Sequence, residues 1–223
     1  MPANTNYTRR KMKDLPFTDA EFITSAFSHE QYPLLVNSGG KPMPEIAIVG
    51  RSNVGKSSLI NHLLRKPKLA QTSSTPGKTK SINFFTVDKE IAIVDLPGYG
   101  YAKVPQSVKE QWAKIIDHYL QTRENLRLVL FLLDSRRQPS QEDCDFVKWA
   151  SFKQKPILLV FTKKDKMSES DLRKNTLSSL DSFKNFFHSA PVHFLHYSIK
   201  DARARIELIE KINALLKEHG SHQ

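Results

Sequence analysis

The sequence predicts an α/β domain of three layers. Its centre is a doubly wound, mostly parallel six-stranded sheet with one antiparallel strand. Three observations carry this. Apolar strand-like runs alternate with helical patterns along the chain. The runs are nearly continuous in Val, Ile and Leu, as in strands covered on both faces. One link, Asp88-Lys89-Glu90, is too short for a crossover helix, so the runs it joins must form an antiparallel hairpin.

The elements follow in order. A strand over 45–50 (EIAIVG) leads through a glycine-rich turn into a helix over 56–65. Strands over 82–87 (INFFTV) and 91–95 (IAIVD) make the hairpin. A helix over 106–122 carries Val108, Trp112, Ile115, Ile116 and Tyr119 at spacings of three and four. Strands over 126–134, 156–161 and 192–198 then alternate with helices over 139–152, 168–187 and 202–218. Residues 1–21 read as a flexible polar extension, 22–218 as a single domain and 219–223 as a short tail.

The chain of 223 residues is long enough for a full core. It has no 18-residue apolar run, which excludes a membrane-spanning helix. The N-terminal segment MPANTNYTRRKMKD lacks the apolar stretch of a secretory signal. The single cysteine, Cys144, excludes an internal disulfide and suits a reducing cytoplasm. The expected state is a cytoplasmic monomer. Net charge is +11, and between Ile46 and Val87 there are seven Lys and Arg with no Asp or Glu. Nucleotide phosphates account for part of that excess, and a nucleic-acid partner or a solvated face for the rest. The eight histidines form no helical i, i+4 pair of the kind that binds zinc.

Five of the eight glycines, at 50, 55, 77, 98 and 100, gather in loops at the sheet edge where open α/β sheets bind ligands. GRSNVGKS (50–57) matches the phosphate-binding loop pattern between a strand and a helix. Backbone N–H groups of Gly50, Arg51, Ser52, Asn53, Val54 and Gly55 would wrap the phosphates of a nucleotide. Lys56 would span the β- and γ-phosphates, and the Ser57 hydroxyl would hold Mg²⁺. TKKD (162–165: Thr162, Lys163, Lys164, Asp165) selects the base. A carboxylate at Asp165 accepts from both the ring N–H and the exocyclic amine of guanine, a donor pair adenine lacks. The stem of Lys163 would pack on the base plane. YSIK brings Tyr197, Ser198 and Ile199 to the same base through the backbone.

Between the phosphate loop and the hairpin, TSSTPGKTKS (72–81) has the composition of a mobile loop and includes Gly77, Lys78, Thr79, Lys80 and Ser81. Either Thr75 or Thr79 completes the Mg²⁺ shell and senses the γ-phosphate. In DLPG (95–98), Asp95 reaches the ion through water, Leu96 and Pro97 form the turn, and the Gly98 N–H meets the γ-phosphate. These motifs make the domain a Ras-like G domain. Tyr99, however, stands where many such hydrolases carry a water-positioning glutamine.

Taken together, GRSNVGKSSLIN, TSSTPGKTKSINFF, DLPGYGYAKVP, DSRRQPSQED and TKKD resemble the EngB family (also called YihA or YsxC) of bacterial ribosome-assembly GTPases. The resemblance covers about residues 22 to 218. It implies GTP hydrolysis, association with the large ribosomal subunit during its maturation, and a role in cell division and septation. It also implies that Thr79 joins Ser57 on the metal. In similar GTPases an amide at the position of Asn53 helps hold K⁺, which replaces an arginine finger in the transition state. The alternative for Asn53 is a turn residue tolerant of left-handed backbone. The catalytic set on this reading is Lys56, Asn53, Thr79 and Gly98. Tyr99 and Tyr101 either stack on RNA or a partner, or pack against the adjacent helix. A second class remains: a guanine-nucleotide-dependent RNA or protein scaffold whose hydrolysis is incidental. A small-molecule kinase is disfavoured, because TKKD would have no purpose in one.

Overall fold

The computed structural model describes residues 14–70, 81–100, 106–187 and 192–219. One sheet of seven strands runs through it: β1 (Ala20–Ala26), β2 (Glu45–Gly50), β3 (Ile82–Val87), β4 (Ile91–Asp95), β5 (Leu126–Asp134), β6 (Ile157–Thr162) and β7 (His193–Tyr197). Their spatial order is β1-β3-β4-β2-β5-β6-β7. The pairs β4–β2, β2–β5, β5–β6 and β6–β7 are parallel, while β3 is antiparallel to both neighbours. So β3 alone is reversed, as the short link required.

Helices α1 (Lys56–Leu63), α2 (Gln106–Thr122), α3 (Gln141–Phe152), α4 (Glu169–Phe183) and α5 (Ala202–His219) cover the two faces. Strand alternation divides the core. Ile46 and Ile48 face Leu59, Leu63, Leu208 and Ile212 of α1 and α5, whereas Ala47 and Val49 face Tyr119, Leu120, Val147 and Phe183 of α2, α3 and α4. The two outward paths from β2, towards β4 and towards β5, make a switch point at its C-terminal end, where α/β sheets open a ligand crevice. At the opposite, N-terminal end of β2, Glu45 is fully buried and satisfied by Arg123 and by the Tyr119 hydroxyl at 2.6 Å.

The six-strand expectation fell one short. β1 (AEFITSA) carries exposed Phe22 and Ile23 and alternates poorly, so sequence periodicity passed over it. Its place is set by tertiary contacts. The Asp88 carboxylate, at the hairpin turn, accepts from the N–H groups of Phe17, Thr18 and Asp19 at 2.8–3.0 Å. Arg205 donates to the carbonyls of Leu63 and Phe17, and Asn213 exchanges two hydrogen bonds with the Leu15 peptide groups. Phe17, buried, is held at φ 54°, a left-handed backbone rare for an aromatic. The boundary expected after residue 21 is therefore corrected: packing begins by Leu15, which is buried. Residues 1–13 and 220–223 lie outside the described residues. α4 ends at Phe183, short of the expected 187.

Candidate nucleotide-binding site

The phosphate loop forms because β2 ends where side chains cannot follow. A Cβ on Gly50 would lie 2.9 Å from the Leu132 carbonyl oxygen, so only glycine lets β2 and β5 run side by side here. Asn53 then turns the chain at φ 64°, the left-handed geometry its amide tolerates, and Gly55 at φ 107° opens α1 directly at Lys56. Val54 is buried, and its carbonyl accepts from the Thr162 hydroxyl at 2.7 Å. The first residue of TKKD is thus a strut from β6 to the loop, also bonded to the Leu133 carbonyl at 3.1 Å.

Lys163 reinforces the same junction. Its ammonium donates to the Asn53 carbonyl at 2.6 Å and to Asp134 Oδ2 at 3.0 Å. Burial opposes charge on Asp134, but the forked contact from Arg136 and the Lys163 ammonium hold its carboxyl far below the usual carboxylate range. Lys164 turns away to pair with Asp201 at 2.7 Å. Asp165 is exposed, and Ser198 donates to it at 2.8 Å, with Lys200 at 3.4 Å behind. The Ser198 hydrogen bond, with help from Lys200, holds the Asp165 carboxyl below its ordinary value. This is an ionised acceptor with an open side, as guanine recognition requires.

Ser198 is buried and Ile199 exposed beside it. The Tyr197 side chain points elsewhere: it is 1% exposed, and its hydroxyl meets His62 Nδ1 of α1 at 2.6 Å. Tyr197 therefore has only its backbone to offer a base.

At the phosphate end, Lys56 forms an ion pair with Asp95, which closes β4. Leu96 and Pro97 are buried, so they too have only backbone to offer. Gly98 presses on the loop: a Cβ there would sit 3.3 Å from the Ser52 Cα and N. The Ser52 hydroxyl donates to the Gly98 carbonyl at 3.3 Å. A cleft of about 110 Å³ lies along the outer side of this loop, lined by Arg51, Ser52, Asn53, Asp134, Arg136 and Lys163 among others. Ser81, the last residue of the expected mobile loop, is buried. Gly77, Lys78, Thr79, Lys80 and Thr75 lie outside the described residues, as does Tyr101.

Sequence reasoning missed Asn83. Its amide donates to Asp95 Oδ2 at 3.4 Å, while its carbonyl oxygen accepts from Ser25 at 2.6 Å and Ser81 at 3.3 Å. It stands opposite Asp95 in the β3–β4 register, and only strand pairing could have revealed that. Sequence reasoning also missed the link from Tyr99 to α3. Tyr99 stacks on Phe131 of β5, donates to Asp143 at the start of α3, and packs against the core cluster to which α2 contributes Ile116, Tyr119 and Leu120.

The donors fit magnesium carried by a nucleotide, not a bare metal site. Among the described residues no group of three His, Cys, Asp or Glu could hold an ion. One hydroxyl at a helix N-terminus (Ser57) and one nearby carboxylate (Asp95) are what Mg²⁺ uses when phosphates and water complete its shell.

The family described as 50S ribosome-binding GTPase matches residues 45–163. A probable GTP-binding protein EngB of Protochlamydia amoebophila is 45% identical over 204 residues, 92% of this chain and 97% of that protein. Another, from Caldanaerobacter subterraneus, is 51% identical over 155 residues, 70% of this chain and 77% of its own length. Among solved structures, a probable GTP-binding protein engB superposes with a TM-score of 0.65 at 22% identity, covering 78% of this chain and 99% of that one. Era, solved with MgGDPNP and nucleotides 1506–1542 of 16S ribosomal RNA, gives 0.57 at 26% identity, over 78% of this chain and 56% of Era. With the phosphate loop, the Asp95 turn and the Asp165 acceptor on one sheet edge, and relatives matching across nearly its whole length, the chain belongs to the EngB family of GTP-binding proteins and is a GTPase.

Proposed function

We propose that this GTPase is an assembly switch that engages the large ribosomal subunit during its maturation in the cytoplasm, and thereby supports normal division and septation. The observation that carries the reading is the match over residues 45–163 to a family described as 50S ribosome-binding, on a chain of net charge +11. Basic residues flanking the nucleotide loops, among them Arg65, Lys66 and Lys68, suit an rRNA-rich partner. Within the site, Lys56 would neutralise the β- and γ-phosphates, Ser57 and Thr79 would hold Mg²⁺ with Asp95 close by, and the Gly98 N–H would meet the γ-phosphate. Asp165 reads guanine and Asn53 helps place K⁺.

The scaffold reading keeps one observation in its favour. The Tyr99 hydroxyl, at the glutamine position, spends its proton on Asp143.

Co-sedimentation with large-subunit particles tests the proposal. Binding should be stronger with a non-hydrolysable GTP analogue than with GDP, and should fall steeply with salt as counterions are released. Equal binding in both nucleotides, or affinity insensitive to salt, overturns it. A variant that binds GTP without splitting it separates the two readings: if it still supports growth, the scaffold stands.

A further inference from the structure

Tyr99 directly follows Gly98 and is fixed at three points. Its carbonyl accepts the Ser52 N–H at 2.8 Å, so residues 51 and 99 form a short parallel bridge to the phosphate loop. Its ring lies nearly parallel to Phe131, at 15° with centroids 6.5 Å apart, and Phe131 stacks in turn on Phe146 of α3 at 4.8 Å. Its hydroxyl donates to Asp143 Oδ1 at 2.5 Å.

Asp143 is buried and has a second duty. Its other oxygen accepts the Ser140 N–H at 2.7 Å and the Ser140 hydroxyl at 2.8 Å, closing the capping box of α3. Burial, and then the neighbouring Asp143 charge, push the Tyr99 hydroxyl well above its usual range, which keeps it a donor. A hydrogen bond to a buried carboxylate is among the stronger neutral-to-charged contacts.

A free loop could carry Gly98 anywhere along the crevice. Here the residue after it is tied on one side to the phosphate loop and on the other to the first turn of α3. We infer that Tyr99 and Asp143 are a positioning pair: their hydrogen bond holds the Gly98 peptide against the phosphate loop, favours a triphosphate over a diphosphate, and couples the start of α3 to which nucleotide is bound. The inference rests on the assignment of Gly98 to the γ-phosphate. Neither residue touches the reacting atoms, and both act through Gly98. The tyrosine at the glutamine position thus places the neighbouring backbone in the way glutamine elsewhere places water.

Tyr99→Phe in the full chain is the discriminating variant, because it keeps the ring and its stacking and removes only the hydroxyl. Fluorescent GDP and a fluorescent non-hydrolysable GTP analogue are titrated with magnesium, and the melting temperature is recorded alongside. The pair predicts an analogue affinity about tenfold weaker with GDP held within about twofold. Asp143→Ala removes the helix cap as well and lowers the melting temperature. In the Tyr99→Phe background it should nevertheless bring no further loss for the analogue. Equal weakening of both nucleotides, no change in either, or a full second loss in the double variant overturns the pair. If the parent and Tyr99→Phe bind GDP normally while the ratio stays put, the pair fails and the site assignment survives. A parent that takes up neither nucleotide overturns the assignment and the pair together.

Discussion

Replacing Asp165 with asparagine changes one oxygen for an NH₂ and isolates base recognition from phosphate binding. In the structure Asp165 is exposed, and Ser198 donates to its Oδ1 at 2.8 Å. That contact also orients the variant: the asparagine oxygen stays on Ser198 and its amine replaces Oδ2. Guanine presents two adjacent donors, so one of them would now meet a donor instead of a charged acceptor. A hydrogen bond to a charged group contributes roughly 1.5–3 kcal/mol, and opposed donors add the cost of an unpaired group. The expected loss is about 3 kcal/mol, or about 150-fold in GDP affinity. Xanthine carries an oxygen where guanine has its amine, so xanthosine diphosphate should gain as GDP loses. Competition of GDP, ADP and xanthosine diphosphate against a fluorescent nucleotide reads all three directly. If the variant holds GDP within about threefold of the parent, or if the parent takes ADP as well as GDP, Asp165 is not the residue that reads the base.

Turnover measured in K⁺ and in Na⁺ tests Asn53: a K⁺-dependent rate that Asn53→Ala abolishes is expected, and equal rates in both salts leave Asn53 as the left-handed turn residue its φ of 64° describes. Asn83→Ala removes the amide on Asp95 Oδ2 and should raise the Mg²⁺ concentration needed for half-maximal GDP retention several-fold, while GDP affinity in chelator stays put; an unchanged magnesium titration refutes that role. Asp88→Asn keeps the acceptor for Thr18 and Asp19 and forfeits the one for Phe17, an expected loss of about 1.5 kcal/mol and a melting temperature lower by roughly 3–6 °C. Unchanged melting would show that the hairpin carboxylate does not anchor β1.

What the sequence revealed depended on how local the determining physics was. The phosphate loop, the β3–β4 hairpin and the alternation of buried strands with amphipathic helices are written within a dozen residues each, and their boundaries fall within a residue or two of expectation for most elements. β1 was illegible because its position comes from residues far along the chain: Asp88, Arg205 and Asn213 grip backbone, which leaves no periodic trace in the strand itself. Asn83 was hidden for the same reason, as its meaning lies in standing across from Asp95. Tyr99 was singled out, but its link to Asp143 was not, since nothing local ties residue 99 to residue 143. Tyr197 and Thr162, placed at the ligand by their motifs, direct their side chains into the scaffold, which leaves only their backbone for a base.

The pairing of Lys56 with Asp95 then explains why nucleotide and metal should act together. Both side chains are nearly buried, at 11% and 5% exposure, and a buried charge left without a partner is strongly unfavourable. A phosphate that draws Lys56 towards itself takes away the cation on which Asp95 depends. The Asn83 amide supplies a dipole but no charge, so Asp95 needs a new cation close by. Magnesium, if Ser57 and the phosphates hold it, would provide one, and would in turn use the carboxylate to hold its water in place. Nucleotide without metal therefore strands Asp95, and metal without nucleotide lacks most of its oxygens. The resulting linkage is reciprocal: whatever factor magnesium adds to nucleotide affinity, nucleotide must add to magnesium affinity. Removing the carboxylate by Asp95→Asn should shrink that shared factor, and a factor left unchanged in the variant would show that Lys56 and Asp95 are not the coupling pair.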